Sequence, residues 1–535
     1  VTVGVAPAPR VATIQQGLPL RFPLVLLGIV AISCLLLLVV TLNPIVACAP
    51  IVLAGIGMLF LRLPIRVPLL TLITLVAFSD IVPQALPPGV DGRYDGPVHP
   101  LYSLLFDNLN NVTGIAPLRF SATEVVYVVV LLIFGARLLA GIRLDRAGRT
   151  PAANALMLLL ALALVAVVSM EIRGLARGGN FTQSLWQFRM LFWMPIITAL
   201  LCMTLRDTRD YLVGMSALTV AACLKIAFGI QYLATVAWPN GFQASMMTSH
   251  NDSLLFVVVL MGFVCRWVHA PSWRRFWQGT VFGGWILIGI VLNNRRIAFV
   301  SLLGCLFMLY VLLRGPLKRS ANRLIVRSIP LAILYLAIGS QHPTGVFKPA
   351  GLVMSVTRQK DESSLTRDIE NTNLLHTLKQ VGPMGAGWGH EYIELVQAYD
   401  ISKFFAQYKF IAHNSVLWLW SIGGLFGFTF IWLPLSAAIF LARRSYFFAR
   451  TPDEQTSAVL VLTTVIVYMV QAWGDMGTQG LSCMLIAALA VAASAKLAVE
   501  TGAFPARIPL LAAPHRRMTA IAKLPADALV APERW

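Results

Sequence analysis

The residues best suited to chemistry gather around Ala412-His413-Asn414-Ser415. This run ends a largely polar segment, 342–412, and opens a long apolar one. Gly424 and Gly427 follow in that apolar run. On a continuous helix, at about 100° per residue, both glycines return close to the azimuth of His413, giving one face an imidazole at its wet end and a small-residue groove below. An imidazole gains and loses a proton near neutral pH, so at a lipid–water boundary it is a candidate general base. The structural alternative is capping and packing. Asn414 and Ser415 suit a helix N-terminus, and Gly423-xxx-Gly427 lets helices approach closely. Asn414, Gly424 and Gly427 are therefore read as a helix-packing motif.

Four arginines are the second candidate group. Arg189 stands in Trp186-Gln187-Phe188-Arg189, Arg295 and Arg296 in the turn Asn293-Asn294-Arg295-Arg296, and Arg367 in Ser363-Ser364-Leu365-Thr366-Arg367-Asp368. Each falls between apolar runs, on the side where basic residues are otherwise scarce. A guanidinium fork matches phosphate oxygens and stays charged at any working pH, so the four are read as pyrophosphate-binding. The competing explanation is snorkelling at a membrane surface.

Other candidates carry less. Lys225 lies inside an apolar run, where an ammonium needs a partner or a wet cavity, and His250-Asn251-Asp252 precedes another. The spacing of His376, His390 and His413 fits no metal-ligand motif, and no metal or other cofactor is expected. The chain has neither GxxxxGK[ST] nor GxSxG, which argues against ATP hydrolysis and a serine nucleophile elbow. The seven cysteines fall in or beside apolar runs and form no CxxC.

The elements that must position these groups are membrane spans. The chain is 58% hydrophobic and 12% charged, with mean hydropathy +0.75. Apolar runs of spanning length recur at roughly 22–42, 44–63, 67–86, 121–142, 152–171, 190–205, 210–234, 253–270, 278–293, 297–314, 323–341, 413–442, 456–474 and 479–499. The expectation is an all-α polytopic membrane protein of about 12–14 transmembrane helices. The first run is long enough to span, and reads as an anchor and not a cleaved leader. The net charge of +19 does not indicate nucleic acid, because its distribution is topological. Arg143, Arg146 and Arg149, then Arg266, Arg274 and Arg275, then Arg443, Arg444 and Arg450 mark alternate loops, whereas segment 342–412 balances seven basic against seven acidic residues. The positive-inside rule then places both termini in the cytoplasm and 342–412 outside.

The expected organisation is a cytoplasmic tail 1–21, a membrane domain 22–499 and a flexible tail 500–535. Three outward segments break the pattern of short turns: 87–120, with an interfacial helix around Leu101–Asn108; a short basic 172–189; and 342–412. Apolar spacing at Ile369, Leu374, Leu375, Leu378 and Val381, then Ile393, Leu395 and Val396, predicts an ordered cap of short helices there.

These motifs resemble the O-antigen ligase and O-antigen polymerase family of bacterial envelope glycosyltransferases. The family pattern is His-[Asn/Ser/Gln], nine residues, Gly, two residues, then Gly/Thr/Tyr. Here it reads His413-Asn414, Ser415–Gly423, Gly424 and Gly427. The family's preceding arginine, amphipathic helix and "P-x-G-x-G-x-G" stretch look like Arg367, residues 368–381 and Pro383-Met384-Gly385-Ala386-Gly387-Trp388-Gly389. Its mid-chain arginine looks like Arg189. Its "S-R" turn looks like Asn294-Arg295-Arg296, with Asn in place of Ser and a doubled arginine. The likeness covers about residues 120–480 and is strongest over 363–427.

The resemblance implies transfer of a glycan from an undecaprenyl-pyrophosphate carrier to a sugar hydroxyl, without metal, on the periplasmic face of the bacterial inner membrane. His413 would be the catalytic base and the arginines would neutralise the leaving pyrophosphate; Asp368 and Glu391 are the alternative bases. The acceptor would be a growing glycan or lipid A-core, and a chain-length regulator a partner. Polymerase is favoured over ligase because a ligase is expected to have only a dozen spans. A lipid-linked-glycan flippase is the alternative from another class. It would distribute polar groups through the bilayer midplane, whereas here they collect on one side.

Overall fold

The computed structural model describes residues 21–41, 63–82, 84–86, 92–114, 118–139, 151–242, 246–342, 362–402 and 405–505, with a few further positions between these stretches. The chain is an all-α polytopic membrane protein. In chain order the helices are α1 (Arg21–Thr41), α2 (Arg66–Ser79), α3 (His99–Phe106), α4 (Leu109–Thr113), α5 (Ala122–Leu139), α6 (Pro151–Ala176), α7 (Phe181–Thr204) and α8 (Thr208–Ala237). They continue with α9 (Asp252–His269), α10 (Trp273–Leu292), α11 (Arg296–Leu312), α12 (Gly315–Gln341), α13 (Glu362–Val381), α14 (Ser415–Phe448), α15 (Pro452–Gly474) and α16 (Leu481–Glu500). A two-residue hairpin pairs β1 (Gln84–Ala85) with β2 (Arg93–Tyr94).

Among the described residues, ten helices are long and apolar enough to cross a membrane, and three shorter apolar ones accompany them. A helix thus stands at thirteen of the fourteen expected spans. The remaining run, 44–63, lies mostly outside the described residues, as do 1–20 and 506–535. Two compact units form. One comprises Val1–Pro68 with Ser103–Ile142, the other Leu69–Tyr102 with Arg143–Trp535. In the first, α5 starts with a reciprocal cap: the Ser121 N–H donates to the Glu124 carboxylate at 2.8 Å, and the Glu124 N–H to the Ser121 hydroxyl at 3.4 Å.

The second unit is built around α16, whose residues are buried on every side from Leu481 to Ala498. Its sequence, LSCMLIAALAVAASAKLAVE, explains this. A helix apolar all round has no preferred wet face, and its alanines and serines let α7, α14 and α15 come close. By contrast, α12 is exposed along almost its whole length, and its apolar side chains face outward.

Three expected boundaries move. Helix α7 starts at Phe181 because the Asn180 side chain accepts the Gln183 N–H at 3.1 Å. Helix α6 continues to Ala176, so the expected loop 172–189 shrinks to the turn between them, and Arg189 lies inside a helix. Among the described residues of 342–412 the longest helix is α13, and 382–402 with 405–414 are irregular; 352–361 lie outside the described residues.

The expected continuous helix after His413 is also corrected. Helix α14 begins at Ser415 with Asn414 as its cap, so His413 lies outside it and the shared azimuth with the glycines does not exist. The helix is broken at Gly424, which has φ 58° and ψ −162°. The glycine-rich run docks into that break. Ala386 N–H donates to Ser421 carbonyl at 3.1 Å, Gly387 N–H to Ile422 carbonyl at 2.9 Å, and Leu425 N–H to Pro383 carbonyl at 2.7 Å. Carbonyls freed by the break therefore keep partners. The far side of the run lies on α6, where Trp388 N–H donates to Met170 carbonyl at 3.2 Å and the Trp388 indole to Val167 carbonyl at 3.0 Å. Gly427 does serve packing: an added Cβ there would collide with Met170. Gly424 belongs to the break, not to a packing seam.

Candidate functional site

A cavity of about 680 Å³ opens where α11, α13, α15 and the start of α14 converge. From α13 it is lined by Ser364, Arg367, Asp368 and Asn371, spaced as one helical face, with Glu370 beside them. The turn before α11 contributes Asn294, Arg295 and Arg296. His413 and Asn414 come from the junction before α14, and Asp475 from the end of α15. The apolar part of the lining is Ile297, Val300, Val470 and Trp473. The cavity is amphipathic, combining charged side chains with hydrocarbon.

His413 is held from both sides of its peptide. Its N–H donates to Glu370 Oε2 at 3.0 Å, and its carbonyl accepts from Met476 N–H at 2.8 Å. Its Nδ1 lies 3.2 Å from the same carboxylate oxygen. A carboxylate only accepts, so this contact puts the proton on Nδ1 and leaves the Nε2 lone pair available. Glu370 is 5% exposed, so the charge beside the imidazole is poorly screened by water. Asn414 adds a second link to α13, donating to the Asn371 side-chain oxygen at 3.0 Å.

Asp475 organises the arginines. Its carboxylate meets Arg295 Nη2 at 3.3 Å, Arg367 Nη2 at 3.9 Å and His250 Nδ1 at 3.1 Å. Burial lowers the Arg295 pKa from its ordinary value, Asp475 opposes that, and Arg367 reinforces it. The Nε atoms of Arg295 and Arg367 are buried without a partner among the described residues. Unpaired buried donors call for an explanation, and an anion in the cavity would supply acceptors.

A buried polar cluster stabilises the arginine turn. Asn293 accepts the N–H groups of Met247 and Thr248, each at 3.0 Å, and donates to Ser249 carbonyl at 2.9 Å. Asp80 accepts from Ser249 Oγ at 3.2 Å, from Asn251 Nδ2 at 3.0 Å and from Ser482 Oγ. Lys225, fully buried, pairs with Asp252 and donates to Asp80 carbonyl at 2.8 Å. The intramembrane ammonium thus has a partner, and segment 247–252 is clamped with His250 on Asp475.

The structure therefore brings Arg295, Arg296, Arg367 and His413 to one cavity. It does not bring Arg189 there: that guanidinium sits 5.2 Å over the Trp186 ring on α7. His390 Nε2 lies 3.2 Å from Gly174 carbonyl, and no three His, Cys, Asp or Glu side chains among the described residues are grouped to hold a metal. Of the alternative bases, Asp368 lines the cavity and Glu391 does not. Sequence reasoning missed Glu370 and Asp475. The polar stripe 364, 367, 368 and 371 on one helix face was the available signal for α13; Asp475 had only its place at the end of an apolar run. No protein-family model matches the chain, and no curated protein matches it.

Proposed function

We propose that this protein is a membrane glycosyltransferase of the O-antigen ligase/polymerase type. It would move a glycan from an undecaprenyl-pyrophosphate carrier to a sugar hydroxyl at the periplasmic face of the bacterial inner membrane. The observation that carries the proposal is the contact of His413 with buried Glu370 in a cavity that also holds three arginines and an apolar wall. The donor needs each of these parts. Its polyprenyl chain suits the wall of Val300, Val470 and Trp473. Its pyrophosphate suits Arg295, Arg296 and Arg367.

In the step proposed, His413 Nε2 takes the proton from the acceptor hydroxyl as that oxygen attacks the anomeric carbon. The bond from that carbon to the pyrophosphate oxygen breaks, and the configuration inverts. Glu370 stabilises the imidazolium formed, in the way a carboxylate supports a histidine base elsewhere. The arginines neutralise the departing lipid pyrophosphate where its charge develops. Polymerase is favoured over ligase within this class because the sequence carries about fourteen apolar runs, against the dozen expected of a ligase. A chain-length regulator would then be a partner, and a growing glycan the acceptor.

The test uses the full chain in liposomes with a lipid-linked glycan donor and an acceptor glycan. Wild type should release lipid pyrophosphate and extend the acceptor with inverted configuration, in the presence of a chelator. His413→Ala should lose about 10²–10⁴ in rate while remaining folded. Movement of intact donor across the bilayer with no transfer would replace this proposal with a flippase.

A further inference from the structure

A second concavity lies at the far end of the bundle. A groove of about 420 Å³ runs between α8, α9 and α10. It is separate from the cavity above: Arg266 at its mouth is fourteen residues along α9 from Asp252, or about 21 Å at 1.5 Å per residue. Its walls include Val220, Leu224, Val259, Phe263, Phe282 and Leu460. The hydroxyls in the wall do not alter its character. Ser216 donates to Leu212 carbonyl and Thr219 to Met215 carbonyl, both at 2.8 Å, so each is satisfied within its own helix.

The groove is built by local backbone features. Helix α10 widens into a π-helical turn at Gly279–Gly283, a distortion often found at binding sites. Phe282 on that turn stacks on Phe263, with ring centroids 6.2 Å apart. Gly262 leaves the floor without a side chain. At the mouth stand Arg266 and Gln278, both exposed, and Arg266 makes no ion pair among the described residues. Beside them Trp273, Phe276 and Trp277 form an exposed aromatic cluster, the composition of a membrane–water interface. Arg274 and Arg275 add charge of the same sign.

A hydrocarbon slot with one cationic head at the interface fits a ligand of the complementary form. We propose that this groove binds one anionic glycerophospholipid, its acyl chain lying between α8, α9 and α10 and its phosphate on Arg266. Gln278 would donate to the phosphate or the glycerol esters. The site is independent of the transferase proposal, because it takes no residue from that cavity and sits at the opposite membrane surface.

The experiment is native mass spectrometry of the full chain from micelles with equal phosphatidylglycerol and phosphatidylcholine. Wild type should retain one phosphatidylglycerol in preference to phosphatidylcholine, and inorganic phosphate should not displace it. Arg266→Gln should lower that preference about fivefold, the effect of one interfacial cation on an anionic lipid. Gly262→Leu, which fills the floor, should release both lipids. Ser216→Leu, at an exposed position on the facing wall, should do the same if the glycine variant fails to fold. Equal retention of the two lipids by wild type, an unchanged preference in Arg266→Gln, displacement by phosphate, or a segment of this chain cross-linked in the groove would overturn the proposal.

Discussion

A histidine beside a carboxylate is a different reagent from a histidine alone, and Glu370 is what makes that difference here. It accepts from both the His413 ring and the His413 peptide, so it fixes tautomer and position together. In the proposed transfer, Glu370→Gln keeps the shape but removes the charge that would stabilise the imidazolium. The transfer rate should fall at least about tenfold, measured as kcat on the lipid-linked donor. The same change on a His413→Ala background should add little, since residues acting as one unit are not additive. Equal losses in both backgrounds would mean that Glu370 serves the fold and not the base. The grouping of His413 with Arg295, Arg296 and Arg367 was legible because such side chains have few ordinary reasons to occupy such places, whereas Arg189, read with them, lies over Trp186 instead. Glu370 was not, because a glutamate in a polar helix looks solvated until a residue forty-three positions away is packed on it.

At the scale of elements, the break in α14 decides the geometry. The apolar run is continuous from Val416 to Ala442, so nothing in the pattern marks a discontinuity at Gly424. The break is visible only with the glycine-rich run seated in it. Gly424→Ala should be destabilising, because φ 58° with ψ −162° belongs to glycine and the new methyl would overlap Pro383 carbonyl. The strain alone amounts to about 1–3 kcal/mol, and a lowered thermal midpoint of the purified protein would report it. Trp388 is the side-chain anchor of the same lock, fully buried and 5.6 Å from the Trp418 ring. Trp388→Ala should cost about 3–5 kcal/mol. The Lys225–Asp252 pair calls for a different measurement. Lys225→Met alone leaves a buried carboxylate uncompensated, at about 3–5 kcal/mol, and Lys225→Met with Asp252→Asn should recover most of that stability in a melting experiment. Failure of the second change to rescue would show that Asp80 and not Asp252 is the partner that matters.

For the whole molecule, the alternation of basic loops predicts that the cavity faces away from the cytoplasm. In a background without native cysteines, Glu391→Cys should label from the periplasm and Phe447→Cys should not; the reverse pattern would place the cavity on the wrong side for the donor. The polytopic helical class was readable because length and apolarity are local properties. Which helix occupies the centre was not, since α16 and α12 both read as spans, yet one is enclosed and the other exposed. The enclosed one is also the last described helix to leave the ribosome. A chain emerging at about 5–20 residues per second therefore delivers the walls of the bundle before its axis. Helices α7, α14 and α15 lack the small-residue surface of α16 until it inserts among them. During that interval Asp80 has no Ser482 hydroxyl to hold it. Completion of the polar cluster behind the arginine turn thus waits on α16, and a ribosome stalled before Leu481 would leave Asp80 without its Ser482 contact.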